Sequence, residues 1–75
     1  MTNVRENRRI LKEAQSQGVI VRFVYHTKST GELVPRVGTV REFTDENHVV
    51  LNDLGHDGAI RSAILDRIHG SVRIG

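Results

Sequence analysis

The sequence has no cysteine and no tryptophan, a single proline, and only three aromatic residues, Phe23, Tyr25 and Phe43. Without cysteine there is no disulfide framework, no thiol nucleophile and none of the usual cysteine-bearing zinc sites. No apolar run approaches the ~18–20 residues of a membrane-spanning helix, and no signal-peptide core is present. Together with the lack of cysteine this gives the expectation of a cytoplasmic protein with no membrane partner. A Gly-x-Ser-x-Gly nucleophile elbow is missing, and the four histidines are scattered rather than set at ligand spacing. Thr27-Lys28-Ser29-Thr30 has the tail of a phosphate-binding P-loop without the glycine-rich half that would wrap the phosphates. Asp53, His56 and Asp57 offer oxygen and nitrogen donors, but in a glycine-containing loop where such residues are common anyway. The expectation is a protein that is not an enzyme and carries neither cofactor nor metal.

What remains is a chain of 75 residues, enough for one domain spanning 1–75. A domain of this size buries only roughly 60–65% of its unfolded surface, so its core is marginal. Small scaffolds with thin cores add a disulfide, a metal or a second subunit. With the first two excluded, a homo-oligomer is expected. The formal net charge is +2, and of the eleven cations only Lys12 and Lys28 are lysine, the other nine being arginine. Arginine's planar fork suits phosphate and stacks on bases. A GC-rich genome produces the same bias, so the excess alone does not assign a partner.

The pattern along the chain is one helix followed by short strands. Asn3 can cap a helix over about 3–17, with Glu6 placed to complete a capping box, and Gly18 stops it where a left-handed residue is wanted. Val4, Ile10, Leu11 and Ala14 form its apolar stripe. From Val19 to His26 the residues alternate: Val19, Val21, Phe23 and Tyr25 form the candidate core face, opposite Ile20, Arg22, Val24 and His26. Ile20 and Val24 call for partial cover on that second face, from the helix or a neighbouring subunit. Thr27 to Glu32 reads as a hairpin loop.

Leu33 to Phe43 is a long strand, with Pro35 near its start and Gly38 at a bend that lets it serve both halves of a barrel. A turn at Thr44–Asn47 leads to a strand over His48–Asn52, a flexible loop over Asp53–Gly58 and a strand over Ala59–Leu65. A turn over Asp66–Gly70 and a last strand over Ser71–Ile74 complete the pattern. Short strands at this spacing, in a chain too small for two sheets, predict a small closed barrel over about 19–74.

Arg22, Arg36, Arg41, Arg61, Arg67 and Arg73 fall on or beside these strands. An unpaired buried charge is prohibitively costly, so each must reach the surface or meet an acid. Glu42, Asp53 and Asp66 are available, and two or three structural ion pairs are expected. The remaining arginines would either form a solvated, charge-balanced surface or track a phosphate backbone, with an aromatic or histidine ring as stacking platform.

Gly38-x-Val40-x-x-Phe43, Asp45 and Val49-Val50-Leu51-x-Asp53 resemble the first motif of Sm and Sm-like proteins, and His69-Gly70-Ser71-Val72 resembles the second. A closer resemblance is to the WYL domain, itself an Sm-like barrel. Tyr25 stands where that family has a tyrosine at the end of its first strand, and Arg36 where it has an arginine in the second. Arg61-Ser62-Ala63-Ile64-Leu65-Asp66-Arg67-Ile68 matches its closing Arg-x-Phe-Arg-Leu-Asp-Arg-Ile. Asn47-His48-Val49 occupies the place of the Trp-Tyr-Leu tripeptide. The two resemblances span Val19 to Ile74.

The resemblance implies an N-terminal helix followed by a five-stranded, strongly bent antiparallel Sm-like (SH3-like) barrel. It also implies a regulatory or accessory module that binds nucleic acid, single-stranded RNA or DNA in preference to duplex. The positions it carries over are Tyr25, Arg36, Arg61 and Arg67 from the WYL pattern, and His48, His69 and Gly70 from the Sm pattern. Arginines would engage phosphates, and Tyr25 or His48 would stack a base. The alternatives are a protein-interaction adaptor, as phages and mobile elements encode, and a small-ligand sensor using the same cleft.

Overall fold

The computed structural model describes residues 3–27 and 29–75. Lys28, in the tetrapeptide that resembles a P-loop tail, lies outside them. Helix α1 (Val4–Gln17) begins where the Asn3 side chain accepts the Glu6 amide hydrogen at 3.0 Å, and ends at Gly18 with φ 66°. The reciprocal half of the capping box is not made. The Glu6 carboxylate turns instead to Arg9, one helical turn on, and that hydrogen bond holds the carboxyl below its usual pKa.

Five strands follow: β1 (Ile20–His26), β2 (Leu33–Phe43), β3 (His48–Asp53), β4 (Ala59–Ile64) and β5 (Ile68–Ile74). They form one antiparallel sheet in the order β4-β3-β2-β1-β5. The fold class is the expected one. The closed ladder is not: β4 and β5 stand at opposite ends of the order, joined by a 3-10 turn over Leu65–Arg67.

The bend in β2 has a steric signature at Gly38. A Cβ there would lie 2.2 Å from the Asn52 carbonyl oxygen, so β3 approaches closer than any side chain permits. Arg41 is then bulged out of the β2–β3 ladder, where the register shifts between Val40 and Glu42. A second irregularity interrupts the β1–β5 ladder between Arg22 and Val24.

Alternation in β1 sends Val21, Phe23 and Tyr25 inward as expected. They meet Val49 and Leu51 of β3, Ala63 of β4, Val72 and Ile68 of β5, and Leu65 of the 3-10 turn. Leu11 and Ala14 bring the helix onto the same core. The helix packs mainly on β5 and β2, and Ile20 on the far face of β1 remains 37% exposed. The helix therefore does not supply the cover expected there.

Three loop assignments change. β3 runs on to Asp53. The loop after it, expected to be flexible, contains a 3-10 turn over Leu54–His56, because the Asp53 side chain accepts the Gly55 amide hydrogen at 2.9 Å and its carbonyl accepts that of Gly58 at 2.8 Å. β5 starts at Ile68, so His69 and Gly70 belong to a strand and not to a turn. Ile68 is fully buried, and burying it fixes the strand earlier than the glycine suggests.

Candidate functional site

Register decides where each strand arginine goes. Arg36 is the partner of Phe23 and Arg61 the partner of Leu51, so both leave the sheet on the core side, near the open end of the barrel. Arg22 and Arg73 are partners of each other on the opposite face. Arg41 occupies a bulge, donating to Asn52 Oδ1 at 3.4 Å, and Arg67 sits in the turn before β5. The six do not converge on one face.

Around Arg36 and Arg61 lies a hollow of about 600 Å³, also lined by Tyr25, His48 and the hydroxyl residues Thr27, Ser29 and Ser62. The Arg36 guanidinium lies over the Tyr25 ring, 4.7 Å from its centroid. That cation–π contact satisfies its charge in part. Its Nη1 nonetheless is buried and has no hydrogen-bond partner. A buried donor left without a partner costs roughly 1–3 kcal/mol, more on a charged group.

Arg61 is tied more loosely, its Nε lying 3.8 Å from Asp53 Oδ2. Asp53 is 5% exposed and caps the following turn with its other oxygen. Arg61 and Arg36 both line the hollow, and only Arg61 has a carboxylate within ion-pair distance. Among the described residues this is the one ion pair made by a strand arginine, fewer than expected, because Asp66 accepts from Asn47 at 3.0 Å and Glu42 meets none of them.

The residues proposed from sequence divide accordingly. Tyr25, Arg36, His48 and Arg61 are brought together. Tyr25, however, cannot serve as an open stacking platform. It is 6% exposed, packs edge-on against Phe23, accepts the Ile64 amide hydrogen at 2.9 Å and has its face covered by Arg36. Its position at the inward end of β1 makes it a support for the arginine.

His48 has its Nδ1 2.9 Å from Asp45 Oδ1, and that hydrogen bond is the main reason the Asp45 carboxyl is held below its ordinary pKa. Arg67 is engaged with the backbone, Nε donating to the His26 carbonyl at 3.1 Å and Nη2 to that of Thr27 at 3.0 Å. It braces the start of the β1–β2 loop rather than facing the hollow. His69 and Gly70 lie elsewhere, on β5, where His69 meets His26 edge-on at 5.3 Å between centroids.

Sequence reasoning passed over Asn7. It is fully buried, its Nδ2 donating to the Gly70 carbonyl at 2.9 Å and its Oδ1 accepting from the Val72 amide at 2.9 Å. The signal was available. Positions 4, 7, 11 and 14 follow one helical face, and Asn7 fills the gap in the apolar stripe.

A helix ahead of five bent antiparallel strands, with arginines at the barrel mouth, defines a small β-barrel module. The proteasome accessory factor B/C (PafBC) of Arthrobacter aurescens contains the same fold, with a TM-score of 0.80 over 96% of this chain and 17% sequence identity. This chain spans 11% of that protein's chain. At such identity the likeness shows a shared fold and nothing finer. No protein-family model and no curated protein matches the sequence.

Proposed function

We propose that this barrel is a nucleic-acid-binding module with a regulatory or accessory role, taking adjacent phosphates of a single strand into the hollow between Arg36 and Arg61. The observation that carries the reading is the buried, unpartnered Nη1 of Arg36 beside a second arginine. A phosphate supplies acceptor oxygens in a geometry that a guanidinium fork matches. His48, on the same hollow, replaces Tyr25 as the ring available to a base. Dimensions alone also admit a small nucleotide-like anion, since about 600 Å³ lies within the range of small-molecule sites.

The test is fluorescence anisotropy with labelled single-stranded RNA and DNA at low salt. Binding should appear, weaken as salt rises, and be reduced in Arg36→Ala and Arg61→Ala variants whose circular dichroism is unchanged. No binding at low salt, or binding indifferent to both substitutions, would overturn the reading. Homo-oligomerisation belongs to the same proposal. It is supported by the thin core and by Ile60, 64% exposed on terminal strand β4. Light scattering that shows a monomer at high concentration would remove that part.

A further inference from the structure

The face of β1, β2 and β5 turned away from the core carries a second hollow, of about 510 Å³. Its floor is aliphatic. Val24 is in register with Pro35, and Arg22 with Val37, so Val24, Pro35 and Val37 lie side by side. Its depth comes from the interrupted β1–β5 ladder. Arg22 pairs with Arg73 and Val24 with His69, so Gly70, Ser71 and Val72 together stand opposite Phe23 alone. Asn7 takes the Gly70 carbonyl and the Val72 amide from the helix side, and Gly70 turns with φ 75°. The strand is drawn inward there, and the recess opens on the outside.

One end of this floor is charged. Arg22 and Arg73 are direct cross-strand partners, a like-charge placement that destabilises an antiparallel pair. Arg22 Nε donates to the Gly75 backbone oxygen at 2.7 Å. Among the described residues no carboxylate side chain lies within ion-pair distance of either guanidinium. Both residues are exposed.

We propose that this face docks an acidic, apolar peptide segment of a partner protein. An aliphatic or aromatic side chain would lie on Val24, Pro35 and Val37, and an adjacent carboxylate would bridge Arg22 and Arg73. A carboxylate between them turns the like-charge repulsion into two charge-assisted hydrogen-bond sets. A nucleic-acid strand is the poorer occupant. Its bases stack on flat rings, whereas the floor here is aliphatic. Arg36 lines both hollows, whereas Arg61 and His48 line only the barrel mouth and Arg22 and Arg73 only the outer face, so substitutions at those four residues distinguish the two proposals.

The test is a ¹⁵N–¹H NMR titration with the capped peptide acetyl-Glu-Phe-Asp-Leu-amide. Saturable shifts are expected at the amides of Arg22, Val24, Val37 and Arg73. The Gln-Phe-Asn-Leu counterpart should bind about tenfold more weakly or worse, because its neutral amides replace the charge-assisted hydrogen bonds to Arg22 and Arg73 with weaker ones. Arg22→Gln with Arg73→Gln should give the same loss with the dispersed spectrum intact, and Arg73→Gln alone serves if the double variant does not fold. Absent shifts, shifts indifferent to peptide charge, or shifts confined to the Arg36–Arg61 hollow would each overturn the proposal. So would an oligothymidylate that moves the outer-face amides when the peptide does not, since that would make the face a nucleic-acid surface.

Discussion

Arg36 stands in register with Phe23, so its side chain leaves β2 on the side that the core occupies. Tyr25 meets it there, and the two become one unit, an aromatic ring below and a guanidinium above. Tyr25→Phe keeps that contact and removes only the acceptor of the Ile64 amide hydrogen. A loss of about 1–2 kcal/mol is expected in urea unfolding, with oligonucleotide affinity unchanged. A fall in affinity as large as that of Arg36→Ala would show instead that the phenol itself touches the ligand. Asp45 carries the pH dependence of the β2–β3 turn. Hydrogen bonds from His48 and then the Asn47 amide hold its carboxyl below the ordinary 3.8, so the folded state binds the proton less readily than the unfolded one. Its contribution is complete above that ordinary value and is lost as pH falls through the depressed one. An NMR titration should place the Asp45 midpoint below 3.8 and move it upward in His48→Ala; an unmoved midpoint would deny the contact.

Helix α1 and strand β5 meet through a side chain that does a strand's work. Asn7 bonds one carbonyl and one amide of β5, just where the β1–β5 register breaks. Asn7→Leu is close in volume but leaves Gly70 and Val72 without those partners. At roughly 1–3 kcal/mol for each unsatisfied group, a loss of about 3 kcal/mol is expected in chemical denaturation. Hydrogen exchange at the Val72 amide should quicken in the variant even under native conditions, and unchanged protection would mean that another group takes over. The helix's other hydrogen bonds to the sheet are peripheral by comparison, such as Arg8 Nε to the Glu46 carbonyl at 2.7 Å and Gln15 Nε2 to that of Arg41 at 3.0 Å, both exposed.

For the molecule as a whole, a mild net charge of +2 conceals a divided surface. One arginine pair gathers at the barrel mouth and the other on the outer face, while Arg41 and Arg67 are held by the chain's own groups. If the mouth pair alone engages phosphates, binding involves about two of them, and the slope of log affinity against log salt should be about −1.4 for a single strand. Arg61→Ala should flatten it by about 0.7. A much steeper slope would bring the outer arginines into the same interface. The thin core sets the other limit. Among the described residues it consists of eleven buried apolar ones, so substitutions at Leu65, Ile68 or Val21 leave little reserve.

Most of the fold was legible because its signals are local. A cap at Asn3, a left-handed stop at Gly18, alternation through β1 and a bend at Gly38 each depend on a few neighbouring residues, and each appears where the pattern put it. Strand ends were less legible where a 3-10 turn or an early buried residue such as Ile68 intervened. The candidate site was legible only as a set of names. Tyr25, Arg36, His48 and Arg61 do share a hollow, but nothing local separates them from Arg67, His69 and Gly70, which do not join it. Cross-strand register made that separation. It buried Tyr25 beneath Arg36, set Arg22 against Arg73, and let Asn7 open a recess on the far side of the sheet. Pairings between residues distant in sequence fix the register, so the chain's local chemistry determines the elements and only their assembly decides which charges meet.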